Sequence, residues 1–208
     1  VVRSQVVCDP VTERAERSAC FRVVTSGRLV GLKAFDLLIE AFFRASDEVA
    51  ELVILGDGPR MSALRALASE RERPGKKVIF RGWLEQREAK RQLASGTIFG
   101  FCSLHDSAGF SVLEALAVGL PVVCLEAGGP AEIVTPECGI LIEPATVEET
   151  AQRMAEAFDL LAGDTASWRS RSEAAVERAA EFSPAVRHEL IRKDYETLIG
   201  LNQDITSR

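Results

Sequence analysis

The sequence predicts an α/β fold in which a six-stranded parallel sheet is doubly wound by helices on both faces, with further helices at its C-terminal end. Three observations carry this reading. From Phe21 onward, short apolar runs rich in Val, Ile and Phe alternate with longer amphipathic stretches, the pattern of a parallel sheet covered by helices. After Pro144 the pattern changes to helices only. The chain has 208 residues, 47% apolar and 27% charged, enough for one large domain or two small ones with a real core.

Taken in order, the first strand covers 21–26 and is followed by a helix over 34–45. A strand over 52–55 leads to a helix over 60–70, and a strand over 78–81 to a helix over 86–94. The strand over 98–102 precedes a helix over 111–118, the strand over 122–125 a short helical turn over 131–134, and a strand over 140–142 closes the sheet. Strands joined by helical crossovers make a doubly wound, Rossmann-like domain. Three helices follow, over 147–161, 165–180 and 184–201. In the last, Ser183 is placed to cap the first turn and Pro184 suits the first helical position. Val186, Leu190, Ile191, Tyr195, Leu198 and Ile199 mark one apolar face, which needs a partner either on its own domain or on a segment beyond it. Residues 1–20 carry mixed charges without a clear period and read as a linker.

Acidic residues outnumber basic ones 31 to 25, so a net charge of −6 gives no general attraction to nucleic acid or an anionic membrane. No apolar stretch approaches the roughly 20 residues of a membrane helix, and no signal-peptide pattern opens the chain. The expectation is a soluble, cytoplasmic protein. The five cysteines, Cys8, Cys20, Cys102, Cys124 and Cys138, are scattered, with no pair at zinc-knuckle or redox spacing.

Ligands of open α/β sheets sit beyond the carboxyl ends of the strands, so the loops there carry the chemistry. The first, from Ser26 to Lys33, has Gly27 and Gly31 to let the backbone approach a ligand, and Arg28 and Lys33 flanking a helix start. An Arg can fork onto a phosphate and a Lys acts on it as a point charge, although both also suit plain solvated positions. The second, Gly56-Asp57-Gly58-Pro59, lacks the spacing of a dinucleotide fingerprint and reads as a turn with Pro59 at a helix start. The third, Gly82-Trp83-Leu84, offers backbone groups and a large side chain to a nucleobase, against the plainer reading of Trp83 as a packing residue.

The fourth loop runs from His105 through Asp106, Ser107, Ala108, Gly109, Phe110 and Ser111 to Glu114. Small residues there let a helix N-terminus present free amides to an anion, while Glu114, about a turn into the helix, can accept hydrogen bonds from sugar hydroxyls. The structural alternative has Asp106 or Ser107 as a cap and Glu114 as a favourable early acid. A glycine-rich turn at Gly128-Gly129 before Glu132-Ile133-Val134 has a geometric role in closing the pocket floor.

These segments, in this order, resemble the retaining glycosyltransferases of the GT-B fold, group 1 or family 4. Gly27-Arg28-Leu29-Val30 with Lys33 and Asp36-Leu37-Leu38-Ile39 is similar to the family's G-R-L-V-x-x-K-G-x-D-L-L-I segment. Residues 52–59 are similar to L-V-I-x-G-D-G-P, 78–83 to V-x-F-x-G, and 106–121 to E-x7-E followed by E-A-x-A-x-G-x-P-V. Gly128-Gly129, Glu132-Ile133-Val134 and Gly139-Ile140-Leu141 complete the match. Short motifs that line up along a chain are far stronger than any one of them.

The resemblance implies the C-terminal, donor-binding half of such an enzyme over 21–182, with 1–20 as a linker from a missing N-terminal domain. It places 183–208 as a terminal helix and tail packing partly toward that domain. It implies that Arg28 and Lys33 hold the diphosphate of a UDP-, GDP- or ADP-linked sugar and stabilise the leaving group, and that Glu114 holds the ribose. The amides of Gly109, Phe110 and Ser111 would meet the phosphates, with Gly27 beside them, and the backbone of Trp83 and Leu84 would border the base. Asp106 stands for the acid that contacts the donor sugar, one methylene shorter than the family's Glu. Ala34 replaces a family glycine, a change a helix should tolerate or favour.

The resemblance further implies a front-face, metal-independent transfer of a hexose-type sugar without a cofactor, and no nucleic-acid partner. The acceptor and any peripheral membrane contact belong to the missing domain, so this segment alone should turn over little. Neither His105 nor His188 can be assigned the family's catalytic histidine. The competing readings are a nucleotide-sugar epimerase or phosphorylase on the same fold, and a noncatalytic nucleotide-sugar-binding module.

Overall fold

The computed structural model describes residues 20–186 together with 188, 189, 191–193, 195 and 196. Six strands, β1 (Phe21–Ser26), β2 (Val49–Leu55), β3 (Lys77–Gly82), β4 (Ile98–Phe101), β5 (Val122–Leu125) and β6 (Gly139–Ile142), form one sheet. Every pair in it is parallel and the order is β3-β2-β1-β4-β5-β6. The doubly wound prediction therefore holds, and the direction of winding reverses between β1 and β4. β2 begins earlier than its apolar run because it pairs on both sides, and Glu51, which interrupts the run, is neutralised by Arg22 of β1 at 2.6 Å.

Between the strands lie a 3-10 turn (Gly31–Lys33), α1 (Phe35–Arg44), α2 (Met61–Arg71), α3 (Gln86–Ala94), α4 (Phe110–Ala117) and α5 (Gly128–Ile133). Two long helices follow, α6 (Val147–Gly163) and α7 (Thr165–Glu181). α6 starts on a capping box in which Thr146 and Glu149 satisfy each other's amides, and α7 starts on Asp164, which accepts from Ala166 and Ser167. The core has two parts, one on each face of the sheet. One packs Phe42 of α1, Leu64 of α2 and Phe158 of α6 against Val23 and Ile54, and the other packs Leu93 of α3, Leu116 of α4 and Ala175 of α7 against Val24 and Phe99.

Two local expectations fail. Pro59 lies in the turn before α2, which starts at Met61, so it does not open the helix. Ala34 lies outside α1 in a left-handed conformation, φ 44° and ψ 45°, between the 3-10 turn and the helix. Helix propensity therefore does not govern that position. A Cβ is disfavoured in the left-handed region, where a glycine carries no such penalty.

In the terminal helix, Ser183 accepts a hydrogen bond from the amide of Val186 at 3.4 Å, in line with the predicted cap. Val186, Ile191 and Tyr195 are exposed on this domain. Leu190, Leu198 and Ile199 of the predicted face, like the predicted linker up to residue 19, lie outside the described residues. Among the described residues no helix is long and apolar enough to cross a membrane.

Candidate functional site

The loops after β1 and β2 lie side by side because their backbones bond to each other. Gly27 N–H donates to Leu55 O at 3.0 Å, Leu29 N–H to Asp57 O at 2.9 Å, and Gly56 N–H reaches on to Gly82 O at 2.7 Å. This close approach requires glycine at 56, where φ is 129° and a Cβ would stand 2.0 Å from the carbonyl oxygen of Gly27. The stitched loops form one wall of a cleft of about 350 Å³ at the carboxyl ends of the strands. α4 and α3 form the other wall.

The predicted residues Gly27, Arg28, Trp83, Leu84, Ser111 and Glu114 all line this cleft. Arg28 is exposed and, among the described residues, pairs with no carboxylate. Trp83 is 73% exposed at the rim, so the packing reading of this residue fails; the packing tryptophan is Trp168, which donates to Thr97 O at 2.7 Å inside the core. Glu114, half-buried in α4, meets no hydrogen-bond donor among the described residues. Burial raises its carboxyl pKa above the usual value, partly offset by Lys90.

Lys33, Asp106, Gly109 and Phe110 lie outside the cleft lining. Lys33 forms an ion pair with Asp106, with side chains 21% and 16% exposed, and its ammonium stands 5.1 Å from the centre of the Phe101 ring. The second Asp106 oxygen accepts from the amides of Ala108 at 3.1 Å and Gly109 at 2.8 Å. Burial pushes the Asp106 pKa up, but Lys33 and the two amides outweigh it and hold the carboxyl below its usual value.

The cap alternative for Asp106 is thus partly realised, on the loop before α4. The N-cap residue itself is Gly109, at φ 61°, where a Cβ would meet Ile133 at 2.4 Å. With Gly109 N–H taken by Asp106, the amides of Phe110, Ser111 and Val112 remain ahead of the bond from Leu113 N–H to Gly109 O. Glycine 129 donates to Asp106 O at 2.8 Å, so the glycine-rich turn supports this loop from beneath. His105 is exposed and outside the cleft lining.

Sequence reasoning gave no role to Ser26, Asp57 or Ala89, which also line the cleft. The signal for Ser26 was its place at the end of β1, two residues beyond Val24 and so on the same face of the sheet. A larger hollow of about 530 Å³ lies at the opposite end, by the start of β1, β2 and β3, and includes Cys20, Arg73 and Lys76. Two of its cations are committed to the fold: Lys76 donates to Phe42 O at 2.6 Å and Arg73 reaches Ala45 O at 3.5 Å. Parallel sheets bind ligands at the other end. Among the described residues no cluster of His, Cys, Asp and Glu is arranged to hold a metal ion.

A doubly wound parallel sheet with a cation, a helix start and a carboxylate gathered in one cleft at its carboxyl end is an α/β, Rossmann-like domain of the kind found in GT-B glycosyltransferases. The model of the family "Glycosyl transferases group 1" matches residues 20–159, and the chain belongs to that family. Over 146 residues it is 33% identical to a GDP-mannose-dependent monoacylated alpha-(1-6)-phosphatidylinositol monomannoside mannosyltransferase of Corynebacterium glutamicum, covering 66% of this chain and 38% of that protein. Among solved structures, the pneumococcal O-GlcNAc transferase GtfA in complex with UDP and GlcNAc superposes with a TM-score of 0.76 at 18% identity, covering 93% of this chain and 38% of that one. Anabaena HepE in complex with UDP gives 0.76 at 21% identity, covering 86% and 49%. The chain spans less than half the length of each of these proteins.

Proposed function

We propose that this domain holds the nucleoside diphosphate of a nucleotide-sugar donor for a retaining, metal-independent glycosyltransferase, which moves a hexose-type sugar to an acceptor carried by a separate N-terminal domain. The observation that carries the reading is the convergence, in one cleft at the switch point, of Arg28, the start of α4 and Glu114. An anion is favoured at a helix N-terminus and by a guanidinium fork, so the diphosphate belongs between Arg28 and the amides of Phe110 and Ser111. Glu114 is an acceptor placed for ribose hydroxyls, and Trp83 and Leu84 border the base.

In this reading the bond from the anomeric carbon to the β-phosphate oxygen breaks as the acceptor hydroxyl oxygen bonds to the same face, and the acceptor's proton passes to the departing phosphate oxygen. The negative charge arriving on the diphosphate meets Arg28 and the α4 dipole, which lowers the barrier electrostatically. Lys33 joins them on leaving Asp106, which then accepts from the donor sugar's hydroxyls. The related proteins use different bases, so UDP, GDP and ADP are all candidates for the nucleotide. We place this transfer in the cytoplasm as part of the same proposal.

Calorimetric titration of the chain with UDP, GDP and ADP tests this. One nucleotide is expected to bind, and Arg28→Ala to weaken it more than tenfold, since a charge-assisted phosphate contact is worth about 1.5–3 kcal/mol. Unchanged binding in both Arg28→Ala and Glu114→Ala would refute the site.

A further inference from the structure

Ser26 ends β1 on the side of the sheet that faces α4, two residues beyond Val24. It lines the cleft, yet its Oγ is buried and has no hydrogen-bond partner among the described residues. In that state the hydroxyl makes no bond within the described residues that its removal would cost the fold. Glu114 lines the same cleft from α4, and no donor among the described residues meets its carboxylate.

The two groups are complementary in what they ask of a ligand. An ionised carboxylate only accepts, so Glu114 needs O–H or N–H donors, while a serine hydroxyl can donate one proton to an oxygen lone pair. Adjacent sugar hydroxyls supply both at once. A phosphate does not, since it would set its own negative charge against Glu114 in a half-buried site. The phosphate also has other partners, in exposed Arg28 and the start of α4.

We propose that Ser26 is a specificity-determining residue of the donor cleft. With its hydroxyl turned into the cleft, Ser26 donates to a ribose hydroxyl oxygen while Glu114 accepts the ribose O–H protons. This role rests on the donor-site reading above and adds to it a second ribose contact, made from the sheet rather than from α4.

Ser26→Ala should therefore weaken binding without weakening the fold. Removing a buried, unpartnered hydroxyl should leave the thermal midpoint of the ligand-free chain unchanged or raised. Affinity for the bound nucleoside diphosphate should fall about fivefold, the size of one neutral hydrogen bond.

The experiment is calorimetric titration of the wild-type chain and Ser26→Ala with UDP, GDP and ADP, followed by the 2′-deoxy and 3′-deoxy forms of whichever binds. The wild type should lose affinity for at least one deoxy form, and in Ser26→Ala one of those penalties should shrink to the part that Glu114 supplies. Three results would overturn the role: equal binding by Ser26→Ala, an equal loss for the ribose form and both deoxy forms, or a lowered thermal midpoint of the ligand-free variant. If the wild type binds none of the three diphosphates, the donor-site reading fails first and takes the Ser26 role with it.

Discussion

At position 34 the backbone turns left-handed to join the 3-10 turn to α1, and the side chain there is alanine. The amide of Ala34 donates to Gly31 O at 3.0 Å and its carbonyl accepts from Leu38, so the conformation is held from both sides. A Cβ in this region costs roughly 1–2 kcal/mol, part of which glycine gives back through its larger unfolded-state entropy. Ala34→Gly is therefore expected to stabilise the chain by about 0.5–1 kcal/mol, read as a higher urea midpoint with an unchanged slope. A destabilised variant would show that the alanine methyl's packing outweighs the backbone. From sequence alone this residue looked like the first residue of a helix, where alanine is favoured. The sequence pattern could not reveal a left-handed joint because one residue's φ leaves no periodicity.

At the scale of elements, the C-terminal end of α1 is closed by residues from the turn before β3. Arg73 donates to Phe43 O and Ala45 O, and Lys76, only 2% exposed, donates to Phe42 O with its ammonium 4.7 Å from the Phe42 ring centre. Burial, helped by Arg73, lowers the Lys76 pKa from 10.5 to about 8, with Asp159 and Asp47 opposing. Between pH 8 and 10.5 the unfolded chain binds this proton and the folded chain does not, so stability rises with pH across that window. Urea midpoints of the wild type and Lys76→Met at pH 7.5, 8.5 and 9.5 should diverge in the wild type's favour as pH rises; parallel curves would count against a buried charge. Element type and order were legible because the apolar runs and amphipathic stretches differ in period, and β1, α3 and β5 match their predicted limits. Tertiary closures such as Lys76 on α1 were not, since they join residues with no shared pattern.

For the whole molecule, the sheet order decides where function sits, and the order itself follows from no single segment. The loops after β1 and β4 come from opposite windings of the sheet, and the Lys33–Asp106 ion pair joins them across the switch point. Sequence reading singled out Arg28, Trp83, Ser111 and Glu114 from the loops after the strands and the family resemblance, and the fold brings them to one cleft. It missed that Lys33 and Asp106 would hold each other, because complementary charges 73 positions apart signal nothing until the fold brings them together. Breaking the pair leaves Lys33 half-buried without its counter-charge, so Asp106→Asn should cost about 1–2 kcal/mol at neutral pH, even though the amide oxygen can still accept from Ala108 and Gly109. The Asp106 pKa is depressed in the fold. The stabilisation is therefore complete above the ordinary carboxylate pKa of about 4 and is lost as pH falls through the depressed folded value. Urea midpoints of the wild type and Asp106→Asn should differ most at pH 7 and converge toward pH 3. Equal midpoints at pH 7 would mean that the ion pair does not brace the two halves of the sheet, and that the loops are held by their backbone bonds alone.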